Sequence, residues 1–263
     1  MSLPPPFRTL VKTISIHMKL SMVRPMFQFI ILFQPFIFAT LGILIYGHSD
    51  AEQIFHYVVL GSGFMTLWSS IVFSSASDVN RERMYGTLEI IFTSPTSFAN
   101  TLIGKIIGNT IWGILSMFIS FVYLTVLYDV QIQINYIWLF FGSFLLNIIS
   151  LSIFAFFLAM SFTLSRQATM LMNCIEYPIY LICGFMFPIS ILPAWIQPIS
   201  WLLPPTWTIE LFRDVTGNQL IVNDIMQTII ILIVLSFIYL ALAVIFYRLV
   251  DKKARIAGTL GVY

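Results

Sequence analysis

Charge is what this sequence has least of. Only 9% of its 263 residues are Asp, Glu, Lys or Arg, where a soluble domain carries about 25%. So few charges cannot solvate a folded surface, so most of that surface must face lipid. The net charge of +2 is too small to suggest a nucleic-acid partner. Cysteine is just as scarce. Cys174 and Cys183 share one apolar run, separated by roughly 13 Å of helical rise, beyond disulfide reach. No metal-ligand spacing is present: His17, His48 and His56 are scattered, with surface positions expected for all three. There is no H-E-x-x-H and no pair of intramembrane aspartates, so a membrane hydrolase lacks its parts. Nor is there a G-x-x-x-x-G-K-[ST] motif. Gly104-Lys105 is followed by Ile106, and Lys105 reads as a headgroup anchor. No cofactor is therefore expected on this chain. A cleavable signal is also missing, since the first apolar run begins only at Met26 and is too long.

What is present is hydrophobic length. Six stretches, at about 26–46, 57–77, 104–127, 136–162, 169–192 and 225–248, can each span an apolar core of about 30 Å. Ahead of them, residues 5–22 set Phe7, Leu10, Val11, Ile14, Met18 and Met22 on one helical face. Arg8, Lys12, Ser15 and Lys19 fall on the other. Such a helix suits the headgroup boundary. Gly104 and Gly108 form a G-x-x-x-G that permits close helix packing. Nothing divides the chain, so residues 1–263 read as one all-α membrane domain of six spans.

The basic residues fix orientation. Of 13, all but Arg213 fall on one face of a six-span arrangement: Arg8, Lys12, Lys19, Arg24, Arg81, Arg83, Lys105, Arg166, Arg248, Lys252, Lys253 and Arg255. The positive-inside rule places that face, with both termini, in the cytoplasm. On the other side, residues 193–219 are too apolar for a solvated loop and too rich in proline for a span. Pro193, Trp195, Pro204, Pro205 and Arg213 suggest short external helices that dip into the outer leaflet. Thr206 is a candidate cap for one of them.

The longest charged interruption lies between the second and third spans. Residues 79–93 read as a short cytoplasmic helix with a weak point at Gly86 and a break at Ser94-Pro95. Leu88, Ile91 and Phe92 make its apolar face, and Arg81, Glu82, Arg83 and Glu89 its polar one. A helix of this kind suits a groove on a cytoplasmic partner.

The string E-R-M-Y-G-T-L-E-I-I-F-T-S-P at residues 82–95 resembles the signature of permease subunits of type-2 ABC exporters. Two further stretches are similar to that family. One is Gly184-Phe185-Met186-Phe187-Pro188 with Leu192-Pro193, Trp195, Gln197-Pro198, Pro204 and Arg213; the other is the tail at residues 254–260. The resemblance implies two six-span subunits, as homodimer or heterodimer, over two separate ATP-binding cassette subunits that hold ATP and Mg. It implies the cytoplasmic membrane of a bacterium. It makes residues 79–93 the coupling helix, with Arg81, Glu82, Arg83, Gly86, Thr87, Leu88 and Glu89 as the coupling set. The substrate expected is amphipathic: a drug, a peptide antibiotic, a lipid or a lipid-linked glycan.

Glu176 is the one formal charge well inside a span, which makes it a functional candidate. With Asn173 and Phe187 it is a candidate for the substrate path. It could equally be a carboxyl that packs helices, or pair with Arg166 or Lys105. The rival class is a stand-alone ion-coupled carrier or channel. A carrier should show paired broken helices and more intramembrane polar groups, and the sequence has neither.

Overall fold

The computed structural model describes residues 5–93, 97–130, 136–163, 168–217 and 221–257, and among them there is no strand. Helix α1 (Pro5–Met22) is followed by α2 (Pro25–Tyr46), which Pro25 opens in a position where its missing N–H costs nothing. Then come α3 (Ala51–Met84), α4 (Thr87–Thr93), α5 (Phe98–Tyr128), α6 (Ile137–Thr163) and α7 (Ala168–Ile182). The Ser97 hydroxyl caps α5 by accepting from the Asn100 N–H. A 3-10 turn (Ile189–Ile191), α8 (Gln197–Leu202), α9 (Pro204–Thr216) and α10 (Val222–Ala257) complete the order.

α3 is the central strut. Its apolar window is 100% buried, against 22% for the lipid-suited α10. The cause is its composition. Gly61, Ser62, Gly63, Thr66, Ser69, Ser70, Ser74 and Ser75 keep its surface small, and small residues let helices approach closely where no hydrophobic drive separates them from lipid. α2, α5 and α6 pack around it, α10 lies along α6, and α9 wedges against α6 and α10. α3 also carries two π-helical turns, Ile54–Val59 and Ser69–Phe73. In the second, the Ser69 carbonyl accepts both from the Ser74 N–H and, at 3.1 Å, from Ser74 Oγ.

Among the described residues, five helices are long and apolar enough to cross a membrane: α2, α3, α5, α6 and α10. The expected span at 169–192 is represented by α7, only 15 residues long. That is roughly 22 Å of rise, short of a core of about 30 Å. It stops because Gly184 turns left-handed at φ +71° and Pro188 and Pro193 follow. The segment at 79–93 is likewise not one helix. α3 runs on to Met84, the chain turns at Tyr85-Gly86, and α4 starts afresh. The Ser94-Pro95 break, Arg166 and residues 258–260 of the tail motif lie outside the described residues.

Candidate functional site

The α3–α4 elbow is built by Gly86, whose φ of +68° is a conformation that an L side chain resists. Thr87 binds back across the turn, its hydroxyl donating to the Glu82 carboxylate and, at 3.2 Å, to the Glu82 carbonyl. The other Glu82 oxygen pairs with Lys105 of α5. Arg81 pairs with Asp78, and Arg83 donates to the Thr163 carbonyl at the end of α6. Leu88 is buried at 1% exposure and Ile91 packs against the main core. The expected polar and apolar faces therefore turn inward. What faces outward is Met84, Tyr85 and Ile90. The reason is electrostatic: charges beside an apolar bundle are held where partners and hydrogen bonds satisfy them. The Glu89 and Phe92 side chains lie outside the described ones. Lys105 is thus an ion-pair partner of the elbow, not a snorkelling headgroup anchor.

Below the elbow sits a carboxylate that sequence reading passed over. Asp78 is 2% exposed. It pairs with Arg24 at 3.2 Å and with Arg81, and it accepts from Asn109 Nδ2 at 3.0 Å. His17 Nε2 stands 3.2 Å from Asp78 Oδ2 and 2.9 Å from Asn109 Oδ1. Facing two acceptors, Nε2 carries the proton. Burial pulls the imidazole pKa below its ordinary value, so a neutral ring serves as that donor. His17 is accordingly a buried junction residue, not the surface histidine expected. Gly104 and Gly108 bring α1 this close. A Cβ on Gly104 would stand 2.9 Å from Thr13 Cγ2, and one on Gly108 3.0 Å from His17 Cδ2. One cluster therefore joins α1, α3 and α5. Its sequence signal was an acid just before R-E-R, an asparagine in an apolar run, a histidine on the amphipathic helix and an arginine just after it.

Glu176 lies elsewhere. Its Oε1 accepts from Ser69 Oγ and from Tyr180 Oη, both at 2.9 Å, and Ser69 and Tyr180 also bind each other. The carboxyl thus ties α7 to the π turn of α3, and Lys105 is engaged with Glu82. The Asn173 side chain is outside the described ones. Phe187 is half-buried just after the Gly184 turn.

On the far side, Arg213 is buried and donates from Nη2 to the carbonyls of Gly184 at 2.8 Å and Phe185 at 3.0 Å. Its guanidinium lies 4.6 Å over the Tyr57 ring and 3.6 Å from Glu210. The one basic residue that broke the charge asymmetry is thus a clamp on backbone carbonyls. Pro188 leads the 3-10 turn, and Pro193 accepts from the Ile196 N–H at 2.9 Å. Pro204 and Pro205 open α9 behind Leu203, so Thr206 is inside the helix and is not its cap. Trp195 and Trp201 are exposed, and Trp207 Nε1 donates to the Trp201 carbonyl at 2.7 Å.

Among curated proteins none matches this chain. A family model described as ABC-2 family transporter protein does match, over residues 40–245. That stretch holds α3, the elbow, α5, α6, α7, α8 and α9, and it is well over half of the sequence. With five helices among the described residues long and apolar enough to cross a membrane, this chain belongs to the ABC-2 family of transporter proteins, as a multi-pass membrane permease component.

Proposed function

We propose that the chain is the membrane-spanning subunit of an ABC exporter and that the α3–α4 elbow is where a separate ATPase drives it. The observation that carries this reading is how the elbow is braced. Its tip exposes Met84 and Tyr85, while its base is tied to α1, α5 and α6 through Asp78, Glu82 and Arg83. A push on the tip cannot be absorbed locally, because three helices must follow. In this reading Arg81, Glu82, Arg83 and Thr87 brace the elbow, Gly86 sets its angle and Leu88 pins it to the core. Glu89 is assigned to the coupling set by resemblance. ATP and Mg sit on the partner, two ATPase copies serve two permease chains, and the second chain is identical or similar.

The short α7 and the segment after it complete a fifth crossing, giving six spans with both termini in the cytoplasm of a bacterium. The substrate is amphipathic: a drug, a peptide antibiotic, a lipid or a lipid-linked glycan. Its path runs by Glu176, Asn173 and Phe187. Because Ser69 and Tyr180 hold Glu176, that carboxyl reaches substrate only when α3 and α7 part. Pro188, Pro193, Trp195, Pro204, Pro205 and Arg213 close the outer end. The family match weighs against a stand-alone carrier.

Gly86→Pro tests the coupling role, since proline holds φ near about −65° and cannot take the observed turn. In the complex co-expressed with its ATPase, assembly should persist while ATP turnover ceases to respond to substrate and export falls. Normal turnover together with normal export would refute the assignment.

A further inference from the structure

A cavity of about 520 Å³ opens between α1 and the elbow. Arg24, Arg81 and Lys105 line it together with Asp78 and Glu82. Three cations against two carboxylates leave one positive charge in excess, since His17 is neutral there. Arg24 also keeps a buried Nε without a hydrogen-bond partner among the described residues. The remaining wall is apolar: Ile16, Leu20 and Val23 of α1 line the same cavity and are exposed. Cations beside exposed aliphatic side chains, on a helix that suits the headgroup boundary, match a ligand with an anionic head and a hydrocarbon tail.

We propose that this cavity binds the phosphate headgroup of an anionic phospholipid, with Arg24, Arg81 and Lys105 toward the phosphate and Ile16, Leu20 and Val23 along the first acyl carbons. A phosphodiester brings the single negative charge that the lining lacks. Once seated, the lipid clamps α1 to the elbow, so the composition of the leaflet sets how firmly the elbow is held. The inference rests on α1 lying at the headgroups and not on the coupling role.

The full chain, purified in a non-ionic detergent, is melted with short-chain phosphatidylglycerol, with short-chain phosphatidylcholine, and with inorganic phosphate. Only phosphatidylglycerol should raise the melting temperature, and saturably. Arg24→Gln should weaken that response about fivefold, the factor one basic residue near an anionic surface contributes. Arg24 also pairs with Asp78, so a second variant, Leu20→Glu, places a negative charge on the exposed wall outside the ion pairs. It should melt like the parent without lipid and lose the phosphatidylglycerol response. The proposal is overturned by an equal response to phosphatidylcholine, by phosphate alone reproducing the shift, or by a Leu20→Glu chain that responds like the parent. No ATPase is present in this measurement, so its failure leaves the elbow's role untouched.

Discussion

At the scale of single residues, the buried carboxylate of Asp78 matters most. Alone in an apolar setting it would be too expensive to stay ionised. Arg24, Arg81, His17 and Asn109 make it tolerable, and they come from α3, α1, α5 and the link between α1 and α2. Removing one partner of a buried pair leaves the others uncompensated. Asp78→Asn should therefore cost about 3 kcal/mol, the low end for such pairs because both arginines reach solvent. Arg81→Gln, at an edge of the cluster, should cost about 1 kcal/mol or less. Denaturant titration of the solubilised chain reads both. His17 adds a pH dependence. Its folded pKa is lowered by burial, so below about 6.5 the unfolded chain takes up a proton that the folded one does not. Its stabilising contribution is complete above that value and is lost as pH falls toward the lowered one. Melting temperature should drop on acidification through this window. His17→Gln, which keeps a donor but cannot titrate, should flatten the drop. Glu176 could be singled out in the sequence because a charge inside an apolar run is unusual. Ser69 and Tyr180 could not, because hydroxyls are ordinary in such helices and only the fold chooses the pair. Asp78 was hidden for a similar reason: a charge at the end of an apolar run is normally solvated, and here α1 folds over it.

Among the elements, the two faces of α1 were legible from spacing, and so was the G-x-x-x-G in α5. That the two meet was not, because periodicity marks a face without naming what covers it. The close approach gives a direct test. Gly104→Leu would drive its side chain into Thr13, whose Cγ2 stands only 2.9 Å from a Cβ there. Overpacking of this kind costs about 1–3 kcal/mol. Thr13→Ala removes the colliding methyl and should restore much of the loss, so the double variant should be more stable than the two single losses summed. Equal additive losses would mean that α1 does not sit in this groove. The elbow shows the opposite limit of sequence reading. Its turn at Gly86 was visible. The direction of its charges was not, since solvent and a neighbouring helix satisfy Glu82 equally well on paper, and Lys105 decides between them only in three dimensions. α7 fell short of its apolar run because hydropathy continues through Gly184 while the backbone does not.

For the molecule as a whole, the number of crossings is a matter of parity, and the charge map favours six. Among the described residues five helices can cross by length, and α7 with the segment after it is the contested sixth crossing. With five crossings the end of α10, carrying Arg248, Lys252, Lys253 and Arg255, would emerge opposite to Arg81 and Arg83. Basic residues this close to a crossing resist translocation, so that arrangement sets one half of the chain against the other. With six crossings every one of these cations stays on one side, and the exception, Arg213, is buried against backbone carbonyls where it weighs little on orientation. The two cases separate in intact cells with a membrane-impermeant thiol reagent. Cys174 is exposed and is first replaced by serine, while Cys183 is buried and can remain. Single cysteines then replace His48, Tyr85 and Lys252, all of them exposed. Six crossings require His48→Cys to be labelled from outside, and Tyr85→Cys and Lys252→Cys only after the membrane is opened. If Lys252→Cys is labelled in intact cells while Tyr85→Cys is not, α7 turns back without crossing. The elbow would then keep its side, and the C-terminal end would leave it.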